Sequence, residues 1–173
     1  MKKEKQSKND LIKDDFKDFI ALLNKYNVDY CITGAYAVSF HSEPRSTRDI
    51  DIYIAHTKDN SKRVEAAIRE FAGADVDENY FNTDEPVILR IGIEPNQIEI
   101  SNELTGLKDK EIMKHRVKGK YGDVVAYYIG LDDLVKNKSI VKDIPHRGRK
   151  KGTDLTDYET LKVVKKIIRQ RTG

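Results

Sequence analysis

The 173-residue sequence has one cysteine, no tryptophan and four prolines. A single cysteine, Cys31, excludes an internal disulfide framework and any multi-cysteine zinc site. It sits in the apolar run YCIT and reads as a small buried hydrophobe. No apolar run approaches the ~18 residues that a bilayer-spanning helix needs, so no membrane partner is expected. The opening MKKEKQSKND is charged and lacks the apolar centre of a signal peptide, which gives a cytoplasmic expectation. A dominant charge is missing too: 32 basic residues stand against 29 acidic ones, a net charge of +3. Bulk charge therefore does not make the chain a nucleic-acid clamp. His41, His56, His115 and His146 have no metal-ligand spacing with one another. Neither a serine–histidine nucleophile arrangement nor a P-loop is present.

What is there is periodic. LIKDDFKDFIALLNKYN repeats Ile12, Phe16, Phe19, Ile20 and Leu23 at helical spacing, with Ser7 or Asn9 as the candidate cap. VDYCIT reads as a strand that Gly34 ends, and AYAVSFHS as a short buried helix. DIDIYIA alternates strictly, placing Ile50, Ile52 and Ile54 on one face and Asp49, Asp51 and Tyr53 on the other. KRVEAAIREFAG is helical; VILRIGI and QIEIS form two strands around a turn at EPN; DVVAYYIG is a further strand. LDDLVKNKSIVKD and DLTDYETLKVVKKIIRQR close the chain as helices, with Asp154 capping the last one and Asp157 near its start. The fold class is α/β (α+β): a mixed β-sheet flanked by helices, with a short helical C-terminal extension. We expect one domain over residues 1–173, its core spanning about 8–130 and its C-terminal helices about 131–171.

Asp49 and Asp51 project together beside apolar neighbours. Two such carboxylates repel, and burial raises the penalty. Magnesium relieves both problems, since it takes one or two carboxylates and fills its remaining positions with waters and substrate phosphates. Glu99 alternates on QIEIS; if that strand neighbours DIDIYI, three acids share one face, which fits a two-metal site with ions ~3.5–4 Å apart. The strand-to-helix turn at Gly34 offers backbone N–H groups as a phosphate seat. Arg45 and Arg48, in EPRSTR, are candidate phosphate contacts. The basic run HRGRKK, within Pro145–Gly152, could reach phosphates of a nucleotide or a nucleic acid. Tyr36 reads as a core residue.

These residues resemble the DNA polymerase beta-like nucleotidyltransferase superfamily. Its pattern is a hydrophobic residue, Gly, then Gly or Ser, nine to thirteen residues, Asp-hydrophobic-Asp/Glu-hydrophobic, and a third acid on a later strand. Here Ile32–Thr33 lead into Gly34–Ala35, thirteen residues follow, and Asp49–Ile50–Asp51–Ile52 comes next, with Glu99 standing for the third acid. Ala35 replaces the usual Gly or Ser, and Glu99 the more frequent Asp. GAYAVSFHSEPRSTRDIDIYI is most similar to the small bacterial branch: minimal nucleotidyltransferases, lincosamide-type antibiotic nucleotidyltransferases and AbiEii-like toxins. The tail LDDLVKNKSIVKDIPHRGRKKGTDLTDYETLK resembles their leucine-rich helix, basic turn and Asp-x-x-Asp helix, so the resemblance runs from Asp29 to Leu161.

The resemblance implies a magnesium-dependent nucleotidyltransferase. It would move a nucleoside monophosphate from a nucleoside triphosphate such as ATP to a hydroxyl of a small molecule, a protein or a tRNA, releasing pyrophosphate. Asp49 and Asp51 would hold magnesium, with two ions expected. Glu99 would bind the second ion or take the acceptor's proton. Gly34 and Ala35 would seat phosphates, and Lys138 would lie near the triphosphate beside Arg45 and Arg48. A second reading keeps the fold without catalysis, as a nucleotide- or partner-binding member with an antitoxin-like protein partner. A third, a metal-dependent phosphoesterase or nuclease, would leave the glycine–helix phosphate seat without a use.

Overall fold

A computed structural model describes residues 15–145 and 150–173, apart from the side chains of Lys150 and Lys151. The candidate caps Ser7 and Asn9, and the tip of the basic run HRGRKK, lie outside the described residues.

Helix α1 is described over 15–25 and buries Phe16, Phe19, Ile20 and Leu23 of the expected stripe, whose first member, Ile12, lies outside the described residues. Strand β1 (Tyr30–Thr33) is buried at every position, as suits a central strand, and runs into helix α2 (Gly34–His41). Strand β2 (Ile50–Ile54) follows, then helix α3 (Lys58–Ala72). Thr57 caps α3 by accepting the Asn60 N–H at 3.2 Å, and Gly73 closes it with a left-handed φ of 64°. Strands β3 (Ile88–Ile91) and β4 (Ile98–Ser101) form the antiparallel pair expected around EPN. Helix α4 (Asp109–His115), strands β5 (Val117–Tyr121) and β6 (Val124–Tyr128), and helices α5 (Leu131–Val141) and α6 (Lys150–Thr172) complete the order.

The six strands form one mixed sheet in the order β3-β4-β2-β1-β6-β5. β2 is antiparallel to β1 and parallel to β4, so the strand of paired aspartates lies beside the strand of Glu99. Ile50, Ile52 and Ile54 are buried with α1 and α3 residues in one core. Burying each such side chain contributes about 1.5–3 kcal/mol, which fixes the face that the aspartates must take. A one-residue slip would bury the acids instead. Tyr36 joins this core, edge-on to Phe16 at 6.1 Å between ring centroids.

Three features depart from the sequence expectation. α4 and β5 were not anticipated: α4 buries only Ile112, and β5 is a polar edge strand, so neither shows a full apolar period. α6 begins at Lys150, not near Asp154. Asp154 is therefore no cap; it lies inside the helix, buried against α5.

Candidate active site

The register sets out the centre of the site. Arg90 on β3 pairs with Glu99 on β4, Glu99 with Asp51 on β2, and Asp51 with Thr33 on β1. Four strands thus carry Arg90, Glu99, Asp51 and Thr33 in one transverse row, and the row runs toward Gly34. Asp49 stands two residues before Asp51, at the entry to β2. Its position is pinned twice: the Asp49 Oδ1 accepts the Gln97 N–H at 3.2 Å, and the Ile50 N–H donates to the Gln97 carbonyl at 3.1 Å.

Gly34 permits the close approach. Its φ is +60°, a region costly for side-chain-bearing residues. A Cβ at this position would fall 2.0 Å from Asp51 Oδ2. The Asp51 carboxylate therefore rests against bare backbone at the start of α2. Thr33 caps α2 with no side-chain hydrogen bond, and the first turn holds no acid. An anion is thus the complementary ligand for the N–H groups there.

All eight residues singled out by sequence line one cleft of about 600 Å³: Gly34, Ala35, Arg45, Arg48, Asp49, Asp51, Glu99 and Lys138. Their environments differ. Arg48 is exposed at the cleft wall. The Glu99 carboxylate accepts the Arg90 Nε–H at 3.0 Å. Lys138 is buried, its Nζ 2.8 Å from Asp154 Oδ1 and 3.0 Å from Asp157 Oδ2. Arg45 grips Asp157 with both terminal nitrogens, Nη1 to Oδ1 at 3.2 Å and Nη2 to Oδ2 at 3.3 Å.

Sequence reasoning missed Arg90, although strand alternation in VILRIGI facing QIEIS would have found it. It also missed the pairing of Asp154 and Asp157 with Lys138 and Arg45. At the other end of β2, the buried Tyr53 hydroxyl donates to the Asp109 carboxylate. Burial first, and then that carboxylate, push the Tyr53 hydroxyl's pKa far up, so it stays a donor. A second cleft of about 450 Å³ shares Tyr53, Pro86, Glu103 and Leu104 with the first, so the two adjoin.

The Asp49–Asp51 pair, with its hard oxygen donors beside an anion-seeking helix start, fits a divalent cation such as magnesium. Among the described residues, no group of three or more His, Cys, Asp or Glu side chains is arranged to hold a metal ion by itself. A cation here would complete its shell with phosphate oxygens and water. Among the described residues, no helix is long and apolar enough to cross a membrane.

A mixed sheet that brings an Asp-Ile-Asp strand, a third acid and a glycine-led helix start to one cleft defines the chain's class: it is a nucleotidyltransferase. The sequence model of the aminoglycoside-2''-adenylyltransferase family matches residues 15–117, and the chain belongs to that family. Among solved structures, the fold is similar to that of an antigenic nucleotidyltransferase-like protein from Paracoccidioides brasiliensis. That match has a TM-score of 0.53 at 14% identity, covering 85% of this chain and 74% of the other. The antibiotic-resistance factor ANT(2'')-Ia is similar as well, with a TM-score of 0.53 at 12% identity and 92% of each chain covered. No curated protein matches the sequence.

Proposed function

We propose that this chain transfers a nucleoside monophosphate from a nucleoside triphosphate to a hydroxyl group of a small acceptor. The observation that carries the reading is the Asp51 carboxylate held against Gly34, one register step from Glu99. Asp49 and Asp51 would hold magnesium, which supplies positive charge to the phosphates when bound. Gly34 and Ala35 present the α2 N-terminus to phosphate oxygens, and Arg45, Arg48 and Lys138 add cationic donors on the same side. In the transfer, the acceptor oxygen bonds the α-phosphorus, the α–β anhydride bond breaks, and pyrophosphate leaves. The acceptor's proton goes to Glu99. Arg90 occupies Glu99 Oε2 and so directs Oε1 to that role. The same Oε1 is the atom that would ligate a second metal ion, so the proton-accepting and metal-binding uses of Glu99 compete for one oxygen. Catalysis by this arrangement is positioning plus charge stabilisation.

The adjoining cleft favours the small-molecule acceptor over a tRNA end. Asp84, Glu85, Glu103, Asp109 and Glu111 line it against Lys108 and Lys110, and that acidic excess repels a phosphate backbone. It suits a hydroxyl acceptor carrying amines. The family's name, with its adenylyl donor and aminoglycoside acceptor, supports ATP and an amine-bearing sugar as the first pair to assay. The test is transfer of α-labelled ATP, GTP, CTP or UTP to aminoglycosides, metabolite extract, tRNA and protein, with Asp49→Ala as control. Label in an aminated small molecule, absent with Asp49→Ala, is the expected result. Label in tRNA or protein alone would overturn the acceptor reading, and no label in any pool would overturn transfer.

A further inference from the structure

Lys138 and Arg45 meet the cleft already paired. Asp154 and Asp157, three residues apart, share one face of α6, which Leu161 continues into the core at 0% exposure. That face presses two carboxylates onto two cations from elsewhere in the chain: Lys138 on α5, and Arg45 in the segment 42–49 that leads to Asp49. Lys138, Asp154 and Asp157 are 7%, 3% and 2% exposed. Among the described residues, two carboxylates and two cations thus meet at the cleft wall, where Arg45, Lys138 and Asp154 line the cavity with Gly34 and Ala35.

Buried ion pairs are a weak route to stability, since apolar packing of the same volume does as well or better. They are an effective route to fixed orientation. A lysine ammonium has three donors, and Lys138 gives one to Asp154 at 2.8 Å with Asp157 3.0 Å away; a guanidinium has five N–H groups, and Arg45 gives one to Asp157 with a second nitrogen 3.2 Å from the same carboxylate. Each cation keeps donors beyond those used by these acids, while the acids hold the rotamer of the long side chain. Ordering such a side chain in advance removes part of the entropy cost of ligand binding.

We propose that Asp154 and Asp157 are positioning residues, which aim Lys138 and Arg45 at the triphosphate tail of the donor nucleotide. The proposal rests on the transferase reading above. It makes α6 part of the donor site without contact to the nucleotide. The bidentate grip of Asp157 on Arg45 also anchors the segment that delivers Arg48 and Asp49.

The test is calorimetric binding, with magnesium present, of inorganic triphosphate, each nucleoside triphosphate and the corresponding monophosphate. The variants are Asp157→Asn, Asp154→Asn, Arg45→Ala and the double variant Arg45→Ala/Asp157→Asn. Each single substitution is expected to weaken triphosphate binding about tenfold, the scale of one charge-assisted hydrogen bond, with monophosphate affinity unchanged. The double variant is expected to lose much less than the product of the singles, because Asp157 acts partly through Arg45. A purely structural role would weaken both ligands alike and lower the unfolding temperature in parallel. If Asp157→Asn fails to fold, Arg45→Ala, whose side chain is one-third exposed, decides: unchanged triphosphate affinity overturns the proposal. Equal or tighter binding by a folded Asp157→Asn also overturns it, tighter binding meaning that the acids compete with phosphate. Wild-type protein that binds neither triphosphate nor nucleotide would overturn the transferase reading, and this proposal with it.

Discussion

The two ends of the cleft are built on opposite principles. At one end, α2, α5 and α6 meet over charges that are multiply held: the buried Lys138 between Asp154 and Asp157, and the one-third-exposed Arg45 on Asp157 by a hydrogen bond and a second ion-pair contact. At the other end, β3 is an edge strand. Its Arg90 is 54% exposed and makes one contact with Glu99. The enclosed end offers a fixed pattern suited to a ligand part that never varies, such as a triphosphate. The open end can change side chains at little cost in folding, which suits it to selecting an acceptor. The Asp49–Asp51 pair stands where the two meet.

The largest effect is expected at that junction. Asp49→Ala or Asp51→Asn should lower turnover at least about 100-fold, as loss of a preorganised charge-stabilising group does. The unfolding midpoint should hold steady or rise slightly as like-charge repulsion is relieved. Steady-state kinetics with parallel thermal melts would check both. Next comes Gly34→Ala. The left-handed φ alone costs about 1–2 kcal/mol, and the added Cβ displaces Asp51, so denaturant midpoint and activity should fall together. At the open end, Arg90→Ala should change stability by under about 1 kcal/mol, as for other exposed pairs. It should still raise the acceptor KM or shift the pH profile of kcat while leaving donor binding unaltered. If Arg90→Ala weakens donor binding as strongly as Asp157→Asn does, the division of the cleft into two ends is wrong.

The smallest effect concerns pH. His41 donates from Nε2 to the Ile129 carbonyl at 2.7 Å, and burial holds its pKa below the ordinary 6.5. The folded state therefore resists a proton that the unfolded chain accepts, so stability should decline as pH falls from about 6.5 through the lowered value. His41→Gln should flatten that part of the stability–pH curve, measured by urea titration at several pH values.

The parts legible in the sequence were those with a local period. DIDIYI alternates because one face is core, and that alternation alone put Asp49 and Asp51 together. Gly34 was legible as the residue that breaks YCIT and opens a helix start with free backbone N–H groups, whereas its left-handed φ and its contact with Asp51 were not. The role of QIEIS required one assumption, that it neighbours DIDIYI, and the β2–β4 register bears that out. The Arg45–Asp157 pair was not legible, since it joins residues 112 positions apart and neither shows a local pattern. The start of α6 was misplaced for the same reason: Asp154 looks like a cap in sequence, and only its partner Lys138 shows otherwise. β5 escaped because VKGKY is exposed and polar, a strand made by its neighbour and not by its own side chains.

The most direct measurement is calorimetric titration of ATP, GTP, CTP and UTP into the protein with and without magnesium, repeated with Asp49→Ala/Asp51→Ala. Magnesium-dependent binding of at least one triphosphate, lost in the folded double variant, is the predicted result. No binding of any triphosphate at millimolar magnesium, or equal binding by the double variant, would contradict a donor site at Asp49 and Asp51.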